Sequence, residues 1–207
     1  IFTDLGMGQI LLRETVKTSD PVQKTKLIST TFFLKIFFLT IGTFIIVFLA
    51  PRFASIPEAK AILPIVAFIF VFDSLREFGF SLIRAREKME RETAIFLSMN
   101  AVIVVLGFIF MALSPTVLAF TYSYALGSAF GLIMTVFVLR RLLVGLFSNF
   151  SRNLVGPILS SAWPFALSGL LAALMVNTDI LIIGWFRSAA EVGLYSAPLR
   201  IIQLLYI

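Results

Sequence analysis

The 207-residue sequence contains no cysteine and no histidine. Without cysteine there is no disulfide, thiolate metal site or thiol nucleophile, and without histidine there is no imidazole for acid–base catalysis. The sequence also lacks a glycine-rich phosphate loop, metal-ligand spacing and any arrangement of catalytic serine with an activating base. It therefore predicts no enzyme, no cofactor and no metal site.

Charged residues are scarce as well. They make up 14% of the chain, whereas soluble domains carry about a quarter. Hydrophobic residues make up 59%, and the mean hydropathy is +1.02. Such a chain has too little polar material to coat a soluble globule, and a bilayer explains the excess of apolar side chains. The composition predicts an all-α protein, a polytopic transmembrane helical bundle.

Long apolar stretches alternate with short charged breaks, and about 20 apolar residues are enough to cross the hydrocarbon core. Breaks are predicted at Pro51, at Pro115 and from Asn153 to Pro157. Both ends of the chain fall inside apolar runs, so we interpret the sequence as a fragment with about six and a half helices. The predicted spans are 28–50, 61–83, 93–114, 116–139 and 164–186, with partial helices at 1–12 and about 190–207.

Lysine and arginine are distributed unequally between alternate loops. The loops at 13–27, 84–92 and 140–153 hold four, four and three of them, whereas the other set of loops holds three in total. The positive-inside rule predicts that the first set is cytoplasmic in a protein of the cell membrane. The net charge of +6 is thus explained by topology, and no nucleic-acid partner is predicted.

Some charges lie inside the predicted spans. A charge that faces lipid costs roughly 2.5–3.5 kcal/mol on insertion scales, so these side chains should face the protein interior or water. They are Lys35, Arg76, Arg200, Asp4, Asp73, Glu77 and Asp179.

Three of these charges share one helix face. Asp73, Arg76 and Glu77 follow the spacing of a helical turn, with Arg84 in line with them. Symmetry about the preceding hairpin places Lys35 at a similar depth. Two interpretations remain open: a structural ion-pair cluster, or the charged lining of a water-filled cavity that meets an anionic head group.

The last hairpin carries a second pair, Asp179 and Arg200, at nearly equal distances from a turn predicted near residue 189. Asp179 shares a helix face with Ser168 and Ala172, and this face is expected to point inward. A static salt bridge between Asp179 and Arg200 is one interpretation. A carboxylate that titrates or binds a cation during transport is the other.

Two further patterns concern helix packing. Pro164 with Gly169 predicts a kink or an interrupted helix, a feature that transporters use at their sites. Small residues recur every fourth position in the 116–139 span, which lets helices approach closely. They are Ser123, Gly127, Gly131 and Thr135.

Three stretches together carry a family resemblance. They are DLGMGQILLRETVK at 4–17, LIRAREKMERETAIF at 82–96, and the stretch from WPFALSGLL to RIIQLL at 163–205. With them the chain resembles the bacterial and archaeal polysaccharide-biosynthesis flippases of the O-antigen type. These belong to the multidrug/oligosaccharidyl-lipid/polysaccharide exporter superfamily. The middle spans match only in hydropathy.

The resemblance implies a two-lobed transporter with a central cavity. Residues 1–148 would belong to the N-terminal lobe and residues 149–207 would begin the C-terminal lobe. The implied activity is export of a polyprenyl-pyrophosphate-linked oligosaccharide from the inner to the outer leaflet. The implied partners are that lipid-linked oligosaccharide, membrane lipid, a coupling H⁺ or Na⁺, and glycan polymerase machinery. The candidate cavity residues are Lys35, Asp73, Arg76, Glu77, Asp179 and Arg200.

The sequence leaves two other functions open. One is a multidrug or toxin exporter of the same superfamily, in which acidic residues such as Asp179 bind cations and amphipathic drugs. The other is a non-transporting membrane scaffold of a glycan-assembly complex. A fully paired, sealed interior would favour the scaffold, and unpaired, water-accessible charges would argue against it.

Overall fold

The computed structural model describes residues 6–18, 20–53, 57–143, 146–147 and 149–205, and within these ranges every regular element is a helix. A π-helical stretch, Ile45–Leu49, joins the second helix to the third. In chain order the helices are α1 (Met7–Lys17), α2 (Pro21–Phe44), α3 (Ala50–Phe53), α4 (Pro57–Arg84), α5 (Met89–Leu113), α6 (Val117–Leu143), α7 (Arg152–Phe186) and α8 (Ala189–Leu205).

The predicted helical membrane bundle is confirmed. Four helical segments are long and apolar enough to cross a membrane, and each contains one of the predicted spans or most of it: Pro21–Arg52, Met89–Leu113, Val117–Leu142 and Arg152–Phe186. The remaining long helix, α4, has 28 residues and overlaps the predicted span at 61–83. It differs from the other four in carrying Asp73, Arg76 and Glu77 near its middle.

Local signals account for the start of α2. The Asp20 carboxylate accepts a hydrogen bond from the Val22 N–H at 3.0 Å, and Pro21 occupies the first helical position. An N-terminal acidic cap followed by proline is a favourable helix start, because neither the cap nor the proline removes a hydrogen bond from the helix.

One predicted break is wrong. The stretch from Asn153 to Pro157 lies inside α7, which begins at Arg152. The connection before it is fixed by tertiary hydrogen bonds that the local sequence does not reveal: the Ser151 N–H donates to Thr30 Oγ1 at 3.0 Å, and the Ser29 hydroxyl donates to the Leu146 carbonyl. These contacts hold the segment that leads into α7 against α2.

Helix α7 also continues through Pro164, over 35 residues in all. The predicted interruption at Pro164 is therefore wrong. The alternative, a kink, stays a prediction. Proline leaves the carbonyl four residues earlier without its helical donor, which is why a bend rather than a break is compatible with a continuous helix.

The small-residue stripe packs helices together, as predicted. All four of its residues are buried, and α6 packs between α4 and α5. Gly127 lies against Ile103 of α5, and Thr135 lies against Gly79 of α4. Because a side chain at either glycine would meet its neighbour at once, the close approach of these helices depends on the small residues.

The three connections rich in lysine and arginine lie at one end of the bundle, which we call the basic end. Thr25 near the start of α2, Arg86 after α4 and Arg141 near the end of α6 line a single cleft there. A buried apolar cluster lies beside them, formed in part by Phe78, Leu82, Leu139 and Leu146. The three basic connections thus meet at one end, as the alternation of loops predicts. The side of the membrane on which this end lies stays a prediction.

The first part of α7 is held against α1 and α2. Ile158 and Ala162 are buried, and Gly6 at the start of α1 has a φ of 68° and lies directly against Phe165. Farther along α7 and α8 large apolar side chains such as Trp185 are exposed, as lipid-facing side chains are. The lobe boundary near residue 148 stays a prediction.

Replacing Gly127 with valine should lower the melting temperature of the purified protein in detergent. The added carbons would collide with Ile103, and overpacking of this kind costs about 1–3 kcal/mol. The second change Ile103→Ala should recover most of the loss, because it removes the colliding atoms. A double variant no more stable than Gly127→Val would contradict the contact.

Candidate functional site

Arg76, in the middle of α4, is surrounded by polar atoms of three helices. Its Nη1 lies 2.7 Å from Asp73 Oδ1, 2.7 Å from the Met99 sulfur of α5 and 3.4 Å from Ser128 Oγ of α6. The Ser128 hydroxyl in turn donates a hydrogen bond to the Asp73 carboxylate. The guanidinium is thus neutralised by a carboxylate one turn away, and that carboxylate is held by a neighbouring helix.

The space for Arg76 is provided by a residue of the stripe. A Cβ at Gly131 would lie 3.3 Å from Arg76 Cδ and 2.7 Å from the Met99 sulfur, so a side chain there would displace both. Arg76 is 8% exposed, and its Cζ lies 5.6 Å from the centre of the Phe80 ring. Its Nε is buried and has no hydrogen-bond partner among the residues that the structure describes. One strong donor is therefore available inside the bundle.

Glu77 belongs to a second network at the end of α4. Arg84 donates to both oxygens of Glu92, from Nε at 2.9–3.0 Å and from Nη2 at 2.6 Å, and Nη2 also lies 2.9 Å from Glu77 Oε1. The hydrogen bond to Glu92, followed by the charges of both carboxylates, raises the pKa of Arg84 above its usual value. This ion-pair group joins α4 to α5 across their connection.

Lys35 of α2 faces the protein interior, with 1% of its surface exposed. Its level relative to α4 follows from its neighbours on α2. The Phe32 ring lies 5.5 Å from that of Phe78, and Leu39 shares a cleft with Val71. Lys35 therefore lies opposite the part of α4 between these two positions, in agreement with the equal depth predicted from the hairpin.

The carboxylates of α4 are less buried than its central cation. The side chains of Asp73 and Glu77 are 31% and 43% exposed, compared with 10% for Arg76. The two buried cations, Lys35 and Arg76, thus lie inside the bundle, while the acidic groups reach its surface.

Asp179 of α7 has a partner that sequence reasoning missed. The Tyr195 hydroxyl donates to Asp179 Oδ2 at 2.6 Å, and the Ile180 N–H donates to Oδ1 at 2.9 Å. The chain turns at Arg187 and Ser188, earlier than predicted, so the hairpin places the region of Tyr195 opposite Asp179. The sequence signal that could have revealed this contact is the tyrosine 16 residues after Asp179, on the other side of the turn.

Two predictions about this hairpin have different outcomes. Ser168 and Ala172, expected to face inward with Asp179, are exposed, so that prediction is wrong for this structure. Arg200 lies on α8, but its side chain is outside the described residues, so its pairing with Asp179 stays a prediction. Asp4 is also outside the described residues.

The interior charges of α2 and α4 offer donors to an anion. Among the described residues, no three acidic side chains are grouped so that they could hold a metal ion. The site instead offers two buried cations at one level, one of them with a free N–H, and partly exposed carboxylates that a competing anion could displace.

Fold and site together define a polytopic membrane protein of helices with charged groups in its interior. The family described as polysaccharide biosynthesis protein matches residues 1–207, and the chain belongs to that family. The resemblance noted from the sequence is thereby confirmed. No curated protein and no solved structure matches the chain.

Replacing Asp73 with asparagine should destabilise the protein, because it leaves the Arg76 charge buried without a countercharge. Removing one partner of a buried pair costs about 3–5 kcal/mol, and the partial exposure of Asp73 should bring the loss toward about 2 kcal/mol. Thermal unfolding in detergent measures it. The double variant Asp73→Asn/Arg76→Gln should be more stable than Asp73→Asn, since no charge is left unpaired; equal stability of the two would contradict the pairing.

Proposed function

We propose that this protein is a flippase that exports a polyprenyl-pyrophosphate-linked oligosaccharide across the cytoplasmic membrane by alternating access. Its membership of the polysaccharide biosynthesis family supports a substrate of this class. The observation that carries the proposal is the pair of buried cations, Lys35 and Arg76, at one level of the bundle. In an interior of low dielectric constant such cations bind a pyrophosphate strongly, while the polyprenyl tail stays in lipid.

The exchange of partners at Arg76 gives this proposal a mechanism. A phosphate oxygen would replace the Asp73 carboxylate at Nη1, and the unpartnered Nε, on another edge of the guanidinium, would donate to a further phosphate oxygen of the substrate. Asp73 would stay hydrogen-bonded to the Ser128 hydroxyl. Tyr124 is exposed on α6, one turn before Ser128, and its ring offers a face for the first sugar.

The same exchange suggests how transport is coupled to an ion. Protonation of Asp73 would remove the countercharge of Arg76 and free the guanidinium for the substrate, and loss of that proton would favour release. Asp179 and Glu77 are the other carboxylates of the predicted cavity, and a Na⁺ that binds them is the alternative coupling ion.

Neutralising either buried cation, by Arg76→Gln or Lys35→Gln in the complete protein, should abolish flipping while the protein still inserts into the membrane. The loss of one charge-assisted contact to pyrophosphate should weaken the affinity for the substrate about tenfold to hundredfold. Restoration of surface polysaccharide in a flippase-deficient host measures the activity, and the amount of protein in the membrane controls for folding. Arg91→Gln, at an exposed cation of the α4–α5 region, is the matched control.

The double variant Asp73→Asn/Arg76→Gln separates substrate binding from structural pairing. If Arg76 binds the substrate, this variant stays inactive although its stability is recovered. Activity that returns together with stability would overturn the role of Arg76 and leave a structural ion pair.

We also propose that the basic end faces the cytoplasm. The chain has no cysteine, so single cysteines introduced by Lys88→Cys and Thr116→Cys report on opposite ends. Both positions are exposed. A membrane-impermeant thiol reagent added to intact cells should label position 116 at once and position 88 only after lysis. The reverse order would overturn the proposed orientation.

A scaffold of a glycan-assembly complex, in contact with glycan polymerase machinery, is a second candidate. It is favoured by the pairing of Arg76 with Asp73 and of Arg84 with Glu77 and Glu92. A multidrug exporter is a third, favoured by the carboxylate and aromatic hydroxyl paired on the α7–α8 hairpin. Expression of the complete gene separates the three, because restored surface polysaccharide, drug resistance or neither would result.

A further inference from the structure

The cleft at the basic end is built from three separate parts of the chain. Arg86 comes from the α4–α5 connection, Arg141 and Leu142 from α6, and Thr25 and Ile28 from α2, with Leu146 completing the wall. Its volume is about 250 Å³. A cleft of this size has room for a phosphate group together with ordered water.

The two arginines of the cleft lack a counterion within the described part of the chain. Neither guanidinium forms an ion pair or a side-chain hydrogen bond there, in contrast to Arg84, which two carboxylates hold. Partial burial lowers the pKa of Arg86 by removing water from its charge. Two guanidinium groups that face the same space repel each other unless an anion lies between them.

An apolar cavity adjoins the cleft, and Leu146 lines both. This cavity has a volume of about 200 Å³ and lies between α2, α4 and α6, with Phe32, Phe78, Leu139 and Phe147 among its walls. The combination of a cationic cleft and an apolar cavity with a shared wall matches a molecule that carries an anionic head and a hydrocarbon chain.

We propose that the Arg86–Arg141 cleft binds the phosphate of an anionic phospholipid from the leaflet at the basic end, with part of one acyl chain in the adjoining apolar cavity. The phosphate supplies the counterion that both guanidinium groups lack, and arginine forks match phosphate oxygens in pairs. The bound lipid would connect α2, α6 and the α4–α5 connection. The inference holds whether or not the protein flips a lipid-linked glycan.

The test uses the complete purified protein in zwitterionic detergent or phosphatidylcholine nanodiscs, with phosphatidylglycerol as the probe. Phosphatidylglycerol should raise the melting temperature, because a ligand of the folded state stabilises it. Arg86→Gln/Arg141→Gln should bind this lipid about 30-fold more weakly and lose most of the shift. The matched control, Arg91→Gln/Arg140→Gln, removes the same charge from the same end and should keep the shift.

Several results would overturn the proposal. An equal loss in the matched control would show that only the general surface charge attracts the lipid. A shift of the same size with inorganic phosphate at the same concentration would assign the cleft to a soluble phosphate. A photoactivatable phosphatidylglycerol, applied to the unmodified protein, should crosslink to peptides that contain residues 25–28 or 141–146. Crosslinks confined to other peptides would refute the site even if the double variant failed to fold.

Discussion

A guanidinium in the middle of an apolar helical bundle needs a countercharge and hydrogen-bond acceptors from the protein. Three helices pack around Arg76 and supply them. Asp73 supplies the countercharge to Arg76 from the preceding turn of α4. Ser128 of α6 holds the carboxylate, and the Met99 sulfur of α5 accepts a further N–H. Gly131 leaves the space in which both side chains fit. The small residues of α6 therefore serve the polar site as well as close helix contact.

Features governed by local spacing could be predicted from the sequence. Hydropathy placed the helices because a bilayer demands about 20 apolar residues. The pairing of Asp73 with Arg76 follows from three-residue spacing on a helix, and the burial of Thr135 and its neighbours follows from four-residue spacing. The level of Lys35 could be deduced because residues equally far from the turn of an antiparallel hairpin lie at the same depth.

Features governed by tertiary contact could not be predicted in the same way. Glu92 holds Arg84 across a connection whose geometry depends on Glu87, which has a positive φ of 58°. A turn at residues 187–188, slightly earlier than expected, brought Tyr195 opposite Asp179. Where a break was expected from Asn153, α7 is already helical, and the segment before it is held by hydrogen bonds to α2 residues more than a hundred positions away in sequence. In each case the contact depends on the exact position of a turn or on a residue distant in sequence, and local spacing predicts neither.

The counterions of the cations on α4 and on the connection after it change with depth. Arg76 is matched by a carboxylate and shielded from water, and Arg84 is matched by two carboxylates at the end of the helix. Arg86, two residues farther, has no such partner among the described residues and faces a cleft instead. The positive-inside rule requires cations near the membrane surface but no carboxylates to neutralise them, since lipid phosphates and salt are available there. Within the part of the chain that the structure describes, the carboxylate counterions of the protein end between Arg84 and Arg86. At that depth lipid phosphates can take their place.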